Sequence, residues 1–123
     1  MGRYWLARYQ SLRYAVAGIR SFFKKEVHGP LHLILALIAI AISLLCGLDP
    51  LEWLFILLSL TLVFVTEMFN TCVERIMDYI NKDYDPRIKI IKDIAAGAVL
   101  VAAIFAIIVA SVILLPKLSN FFF

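Results

Sequence analysis

Four polar residues, Glu67, Asn70, Glu74 and Asp78, recur at steps of 3, 4 and 4 in the run Thr66-Glu67-Met68-Phe69-Asn70-Thr71-Cys72-Val73-Glu74-Arg75-Ile76-Met77-Asp78. At about 100° per residue they lie within roughly 80° of one another on a helix. The stripe continues an apolar segment without a break, so one helix carries carboxylates out of a hydrophobic layer. Two chemistries use carboxylates in such a place: taking a proton from a hydroxyl, and holding a hard cation.

Glu67 follows Leu54 by 13 residues, which puts it about 20 Å along a helix and inside the hydrocarbon layer. An ionisable side chain at that depth is a functional residue by default, and a general base acting on an alcohol fits it. A paired glutamate bridging two helices is the structural alternative. Glu74 stands about 10 Å further along, too far for the two carboxylates to share one ion. The acidic residue of the N-terminal segment, Glu26, is the available second carboxylate. Two carboxylates completed by phosphate oxygens and water suit Mg²⁺, although Glu26 beside Lys24 and Lys25 also reads as a solvated charge.

Lys92-Asp93 stands just before the last apolar run. A lysine at a helix start, with the free amides there, would make a phosphate site; a snorkelling lysine with an aspartate cap is the alternative. Asn70 could donate to a phosphoryl oxygen or bond a neighbouring helix. Arg75, Asp78, Lys82 and Arg87 read as solvated charges. Gly29-Pro30 separates His28 from His32, so a helical metal pair is not expected, and His32 reads as an interfacial or bundle-facing residue. Cys46 and Cys72 fit no metal spacing or disulfide framework and read as packed thiols. The sequence has no Walker A motif, glycine-rich kinase loop or G-x-S-x-G elbow, so a nucleotide would have to bind in an unusual way.

The elements that must position these residues are apolar. With 63% hydrophobic residues, 17% charge and a mean hydropathy of +0.94, the 123-residue chain is an all-α integral membrane protein of one domain. Residues 1–27 alternate Arg3, Arg8, Arg13 and Arg20 with Tyr4, Trp5, Leu6, Tyr9, Leu12 and Val16. That is the pattern of an amphipathic helix on an anionic membrane surface, a reading favoured over nucleic acid because apolar spans adjoin it. His28-Gly29-Pro30 is expected to break this helix. Spans are expected over 31–48, 51–73 and 94–115, with a loop around Asp83 to Pro86, a stop at Pro116 and a short interfacial tail. No removable signal peptide is evident, and no repeat or low-complexity segment interrupts the chain. Residues 1–27 and 75–93 hold 11 of the 12 Lys and Arg residues, which places the N-terminus and the Asp83 loop in the cytoplasm. Three spans enclose no deep cavity, so an oligomer is expected.

Two segments, Glu67-Met68-Phe69-Asn70-Thr71-Cys72-Val73-Glu74 and Lys92-Asp93-Ile94-Ala95-Ala96-Gly97-Ala98-Val99, resemble the signature of the prokaryotic diacylglycerol kinase family, which includes undecaprenol kinases. Ala17-Gly18-Ile19-Arg20 and Glu26 extend the resemblance over nearly the whole chain. It implies a homotrimeric kinase of the bacterial inner membrane, each protomer having a surface helix and three transmembrane helices, with sites shared between subunits. By resemblance Glu67 is the general base, Glu26 and Glu74 hold Mg²⁺ and contact the nucleotide, and Asn70, Lys92 and Asp93 face ATP. Tyr14, Asp83, Tyr84 and Asp85 are implied as further nucleotide contacts. Arg20 and Glu67 are implied on the lipid side. The segment after Glu26 and the charged loop from Asp83 to Lys89 depart from the family pattern.

The sequence thus reads as an ATP- and Mg²⁺-dependent kinase acting on the hydroxyl of a membrane lipid alcohol, with diacylglycerol and undecaprenol both open. The rival is a non-catalytic channel or transporter subunit. A channel needs polar groups across its whole span, whereas Leu54 to Val65 offers only Ser59 and Thr61.

Overall fold

The computed structural model describes residues 2–25 and 28–122, all in helices and two short connections. The helices are α1 (Gly2–Lys25), α2 (His28–Cys46), α3 (Pro50–Ile80) and α4 (Pro86–Phe122). Helices α2, α3 and α4 are each long and apolar enough to cross a bilayer. Most of their large apolar side chains face outward, as a lipid solvent requires.

Local chemistry sets the helix ends. Helix α2 closes on Gly47, whose φ of 61° is the left-handed conformation that ends many helices and that glycine adopts without penalty. Asp49 then caps α3: its carboxylate accepts from the Leu51 and Glu52 amides, at 2.8 and 2.9 Å. The Glu52 carboxylate returns to accept from the Asp49 amide at 2.8 Å, completing a capping box with Pro50 at the first position. At the start of α4, Asp85 accepts from the Arg87 amide at 2.8 Å.

Helices α3 and α4 form the main antiparallel pair, and α2 lies across both. Lys92 pairs with Asp78 at one end of the hairpin, and Lys117 with Glu52 at the other. The residue numbers sum to nearly the same value in both pairs, so one register holds along the whole hairpin. On α3 the buried residues Ile56, Ser59, Val63, Glu67 and Asn70 form one seam. Helix α1 is exposed along residues 2–20 and is attached near its end, where Phe22 is buried and Phe23 packs edge-on against Phe64 of α3 at 5.7 Å.

Three boundaries differ from the sequence reading. His28-Gly29-Pro30 opens α2, because a proline in the first turn sacrifices no intrahelical hydrogen bond. His28 and His32 therefore share a helix. Pro116 does not stop α4, which runs on to Phe122 with Lys117 anchored by Glu52. Helix α4 begins at Pro86, so Lys92 and Asp93 lie in its second turn, away from the free amides of its start.

Candidate functional site

The seam of α3 delivers Glu67 into the bundle, where the residue is only 4% exposed. Opposite it, one turn into α2, His32 brings Nε2 to 3.3 Å from Glu67 Oε1. His32 also heads a cleft of about 300 Å³ between α2, α3 and α4, whose walls include Ala36, Ala39, Phe64, Ala103 and Ala106. Small side chains on α2 and α4 leave this space open. The cleft is apolar apart from His32, so a carboxylate deep in the bundle lies beside a slot suited to a hydrocarbon chain.

One turn along the seam, Asn70 is buried and its Nδ2 donates to Glu74 Oε1 at 3.2 Å. Its Oδ1 is buried with no hydrogen-bond partner among the described residues. An orphaned amide oxygen beside a half-buried carboxylate is an all-oxygen donor set, the type a hard cation such as Mg²⁺ takes. No group of three or more His, Cys, Asp or Glu side chains gathers among the described residues, so further donors must come from phosphate, water or Glu26. Glu26 itself lies outside the described residues.

Beyond Glu74, the ends of α3 and α4 and the turn between them enclose a second cavity of about 470 Å³. Asp83, Tyr84, Asp85, Lys92 and Asp93, all singled out in the sequence, line it together. Asp78 and Lys89 join them: Lys92 pairs with Asp78, and Lys89 with Asp93. Asp78 is thus an ion-paired wall residue and not merely a solvated charge. Sequence alone does not show this pairing, because only the packing of α4 against α3 brings Lys92 to Asp78.

At the rim, the Arg87 side chain donates to Asp85, and with the Arg87 backbone amide it holds the Asp85 carboxyl below its ordinary value. Asp93 in turn raises Lys89 above the usual lysine range by hydrogen bonding and charge. The cavity thus gathers carboxylates and lysines on one wall, the side-chain types that take a polyphosphate together with a cation. Tyr14 and Arg20 stand exposed on α1 and line neither cavity.

The polar stripe does not extend across the bundle as a path. Ser59 donates to the Ile56 carbonyl at 2.8 Å and Thr61 to the Leu57 carbonyl at 2.7 Å, so both hydroxyls are consumed by their own helix.

The sequence matches the prokaryotic diacylglycerol kinase family over residues 13–114. It is 37% identical over 111 residues to a diacylglycerol kinase of Synechocystis sp., covering 89% of this chain and 63% of that one. It is 34% identical over 110 residues to an undecaprenol kinase of Bacillus subtilis, covering 89% of both. A diacylglycerol kinase of Helicobacter pylori is 30% identical over 97 residues, with 79% of this chain and 76% of that one covered. The chain therefore spans a little under two thirds of the Synechocystis relative and most of the other two.

Proposed function

This chain belongs to the prokaryotic diacylglycerol kinase family, and on that premise we propose that it transfers the γ-phosphoryl group of ATP to the hydroxyl of a membrane lipid alcohol, of the class that includes diacylglycerol and undecaprenol. The observation that carries the reading is the place of Glu67, buried in the bundle against His32, which borders the apolar cleft, while Asp78 of the same helix, about three turns further on, lines the charged cavity. A kinase for lipids must join those two phases.

In this reading the hydrocarbon chain lies along Ala36, Ala39 and Ala103 and brings its hydroxyl to Glu67. The Glu67 carboxylate takes the hydroxyl proton as the alcohol oxygen bonds to the γ-phosphorus. The bond from that phosphorus to the β,γ-bridging oxygen breaks, and ADP leaves. Asn70 and Glu74 lie one and two turns further along α3, and with Glu26 they would hold Mg²⁺, which neutralises phosphate charge when bound. Lys92 faces the phosphate from α4, while Asp83, Tyr84, Asp85 and Asp93 border the rest of the nucleotide, with Tyr14 of α1 closing over it. Arg20 belongs to the lipid side. Releasing Lys92 from Asp78 is the local change that nucleotide entry requires.

We further place the protein in the bacterial inner membrane as a homotrimer with its basic α1 on the cytoplasmic surface, supported by the distribution of Lys and Arg and by the wide apolar surfaces of α2, α3 and α4. Its product would serve phospholipid or lipid-carrier metabolism. The test is phosphate transfer from labelled ATP by detergent-solubilised protein, with diacylglycerol and undecaprenol supplied singly and in competition. Labelling of either lipid, lost in Glu67→Gln, is the expected result and competition ranks the two. Absence of transfer to both lipids by the unaltered protein overturns the reading.

A further inference from the structure

Glu67 sits in the interior on a long side chain with a broad terminal torsion, and such a carboxylate points nowhere in particular unless something holds it. Among the described residues its one polar partner is His32, Nε2 to Oε1 at 3.3 Å. The partner comes from a different helix. His32 is fixed near the start of α2, and its side chain is 20% exposed against 6% for Glu67, so the pair lies where water competes weakly. His32 also borders the apolar cleft and so stands between that cleft, which Glu67 itself does not line, and the carboxylate.

We infer that His32 is a positioning residue for Glu67: an imidazole N–H engages Oε1 and so aims the other carboxylate oxygen at the acceptor hydroxyl. The inference rests on the lipid-kinase reading with Glu67 as base. Proton transfer needs the base within hydrogen-bond reach of the hydroxyl, and a base free to swing forfeits much of the advantage of proximity. The 3.3 Å contact lacks hydrogen-bond geometry in the resting structure, and catalytic hydrogen bonds that are long or poorly aligned in apo structures commonly tighten only in the loaded complex. His32 transfers no proton and touches no phosphate. Its contribution is the orientation of one carboxylate.

The experiment measures kcat and the KM for ATP in detergent micelles for His32→Leu and His32→Gln, each with native Glu67 and with Glu67→Gln, alongside thermal unfolding. His32→Leu is expected to lower kcat by about 10–100-fold, the cost of a misaimed group, with the KM for ATP unchanged. His32→Gln, whose amide N–H reaches the same oxygen, restores most of the loss. In the Glu67→Gln background His32→Leu adds no further loss, because the group it positions is gone. An equal fold-loss in both backgrounds, or native kcat in His32→Leu beside an impaired Glu67→Gln, overturns the inference alone. A fully active Glu67→Gln removes the base reading and this inference with it. Should His32→Leu not fold, His32→Asn replaces it: the shorter amide falls short of Glu67, so the glutamine variant must be the faster, and equal rates count against positioning.

Discussion

Glu52 accepts two contacts at once on Oε2: from the Asp49 amide at 2.8 Å, closing the cap of α3, and from Lys117 Nζ at 2.9 Å, tying down the far end of α4. One carboxylate oxygen thus fixes both the start of one helix and the register of its neighbour. The Lys92–Asp78 pair secures the opposite end of the hairpin, and the apolar lengths of both helices lie between.

Removing the Lys117 end of this clamp should loosen one end of the bundle and spare the chemistry at the other. Lys117→Met is expected to destabilise the protein by about 1 kcal/mol, since the pair is only partly buried. Glu52→Gln keeps an acceptor for the Asp49 amide but loses the charge, and should cost a similar amount. Thermal unfolding in micelles checks both. A double variant no less stable than either single one shows that the two substitutions remove the same interaction.

Gly29 has a demanding neighbour. A Cβ added there would come within 2.9 Å of the Phe22 carbonyl oxygen and 3.2 Å of the Phe22 ring. The backbone oxygen cannot swing aside as a side-chain tip could, so Gly29→Ala should push α1 away from α2 despite the better helix propensity of alanine. The expected outcome is faster proteolysis within α1 and a lower unfolding temperature. Gly97→Ala meets nothing within 4 Å and serves as the control.

The stripe on α3 is legible in the sequence because its steps follow the helix repeat, and Glu67 and Asn70 are indeed buried on one seam. The four-helix plan is legible for the same reason. The partner of Glu67 is not, because His32 lies 35 positions away and only the α2–α3 register brings it across. The start of α4 is obscured by a different cause: hydropathy begins at Ile94, whereas the helix begins at an Asp85-Pro86 cap made of polar residues. Hydropathy marks the membrane. Capping marks the helix, and Lys92 falls in the interval between them.

That cap sets a pH dependence. Hydrogen bonds from the Arg87 side chain and amide lower the Asp85 pKa, so its stabilisation of the helix start is complete above the ordinary aspartate value of about 3.9 and is lost as pH falls through the depressed folded value. The Lys89–Asp93 pair behaves oppositely. Because Asp93 raises the Lys89 pKa, that contribution is complete below the ordinary lysine value of about 10.4 and is lost as pH rises through the raised one. Hydrogen exchange of the Arg87 amide, after correction for intrinsic rates, should therefore show steady protection at neutral pH and a loss only in strong acid. Asp85→Ala should abolish the protection at every pH.

Helix connectivity also decides which inactive chains can rescue each other. Glu67 and Glu74 lie on one helix, and Lys92 is joined to that helix within the same chain through Asp78. In the proposed reading these three are therefore expected to enter one site together. If sites are shared between subunits, the contribution that can come from a neighbour is that of the N-terminal segment, whose helix α1 is exposed along residues 2–20. Co-assembling Glu26→Gln chains with Glu67→Gln chains is therefore expected to restore partial phosphate transfer, because some sites then combine an intact Glu26 with an intact Glu67. Co-assembling Glu67→Gln with Glu74→Gln chains should restore none, since every copy of α3 carries one defect. The activity of verified mixed oligomers provides the measurement: rescue in the first mixture alone supports a shared site, whereas inactivity in both places the complete site within one chain.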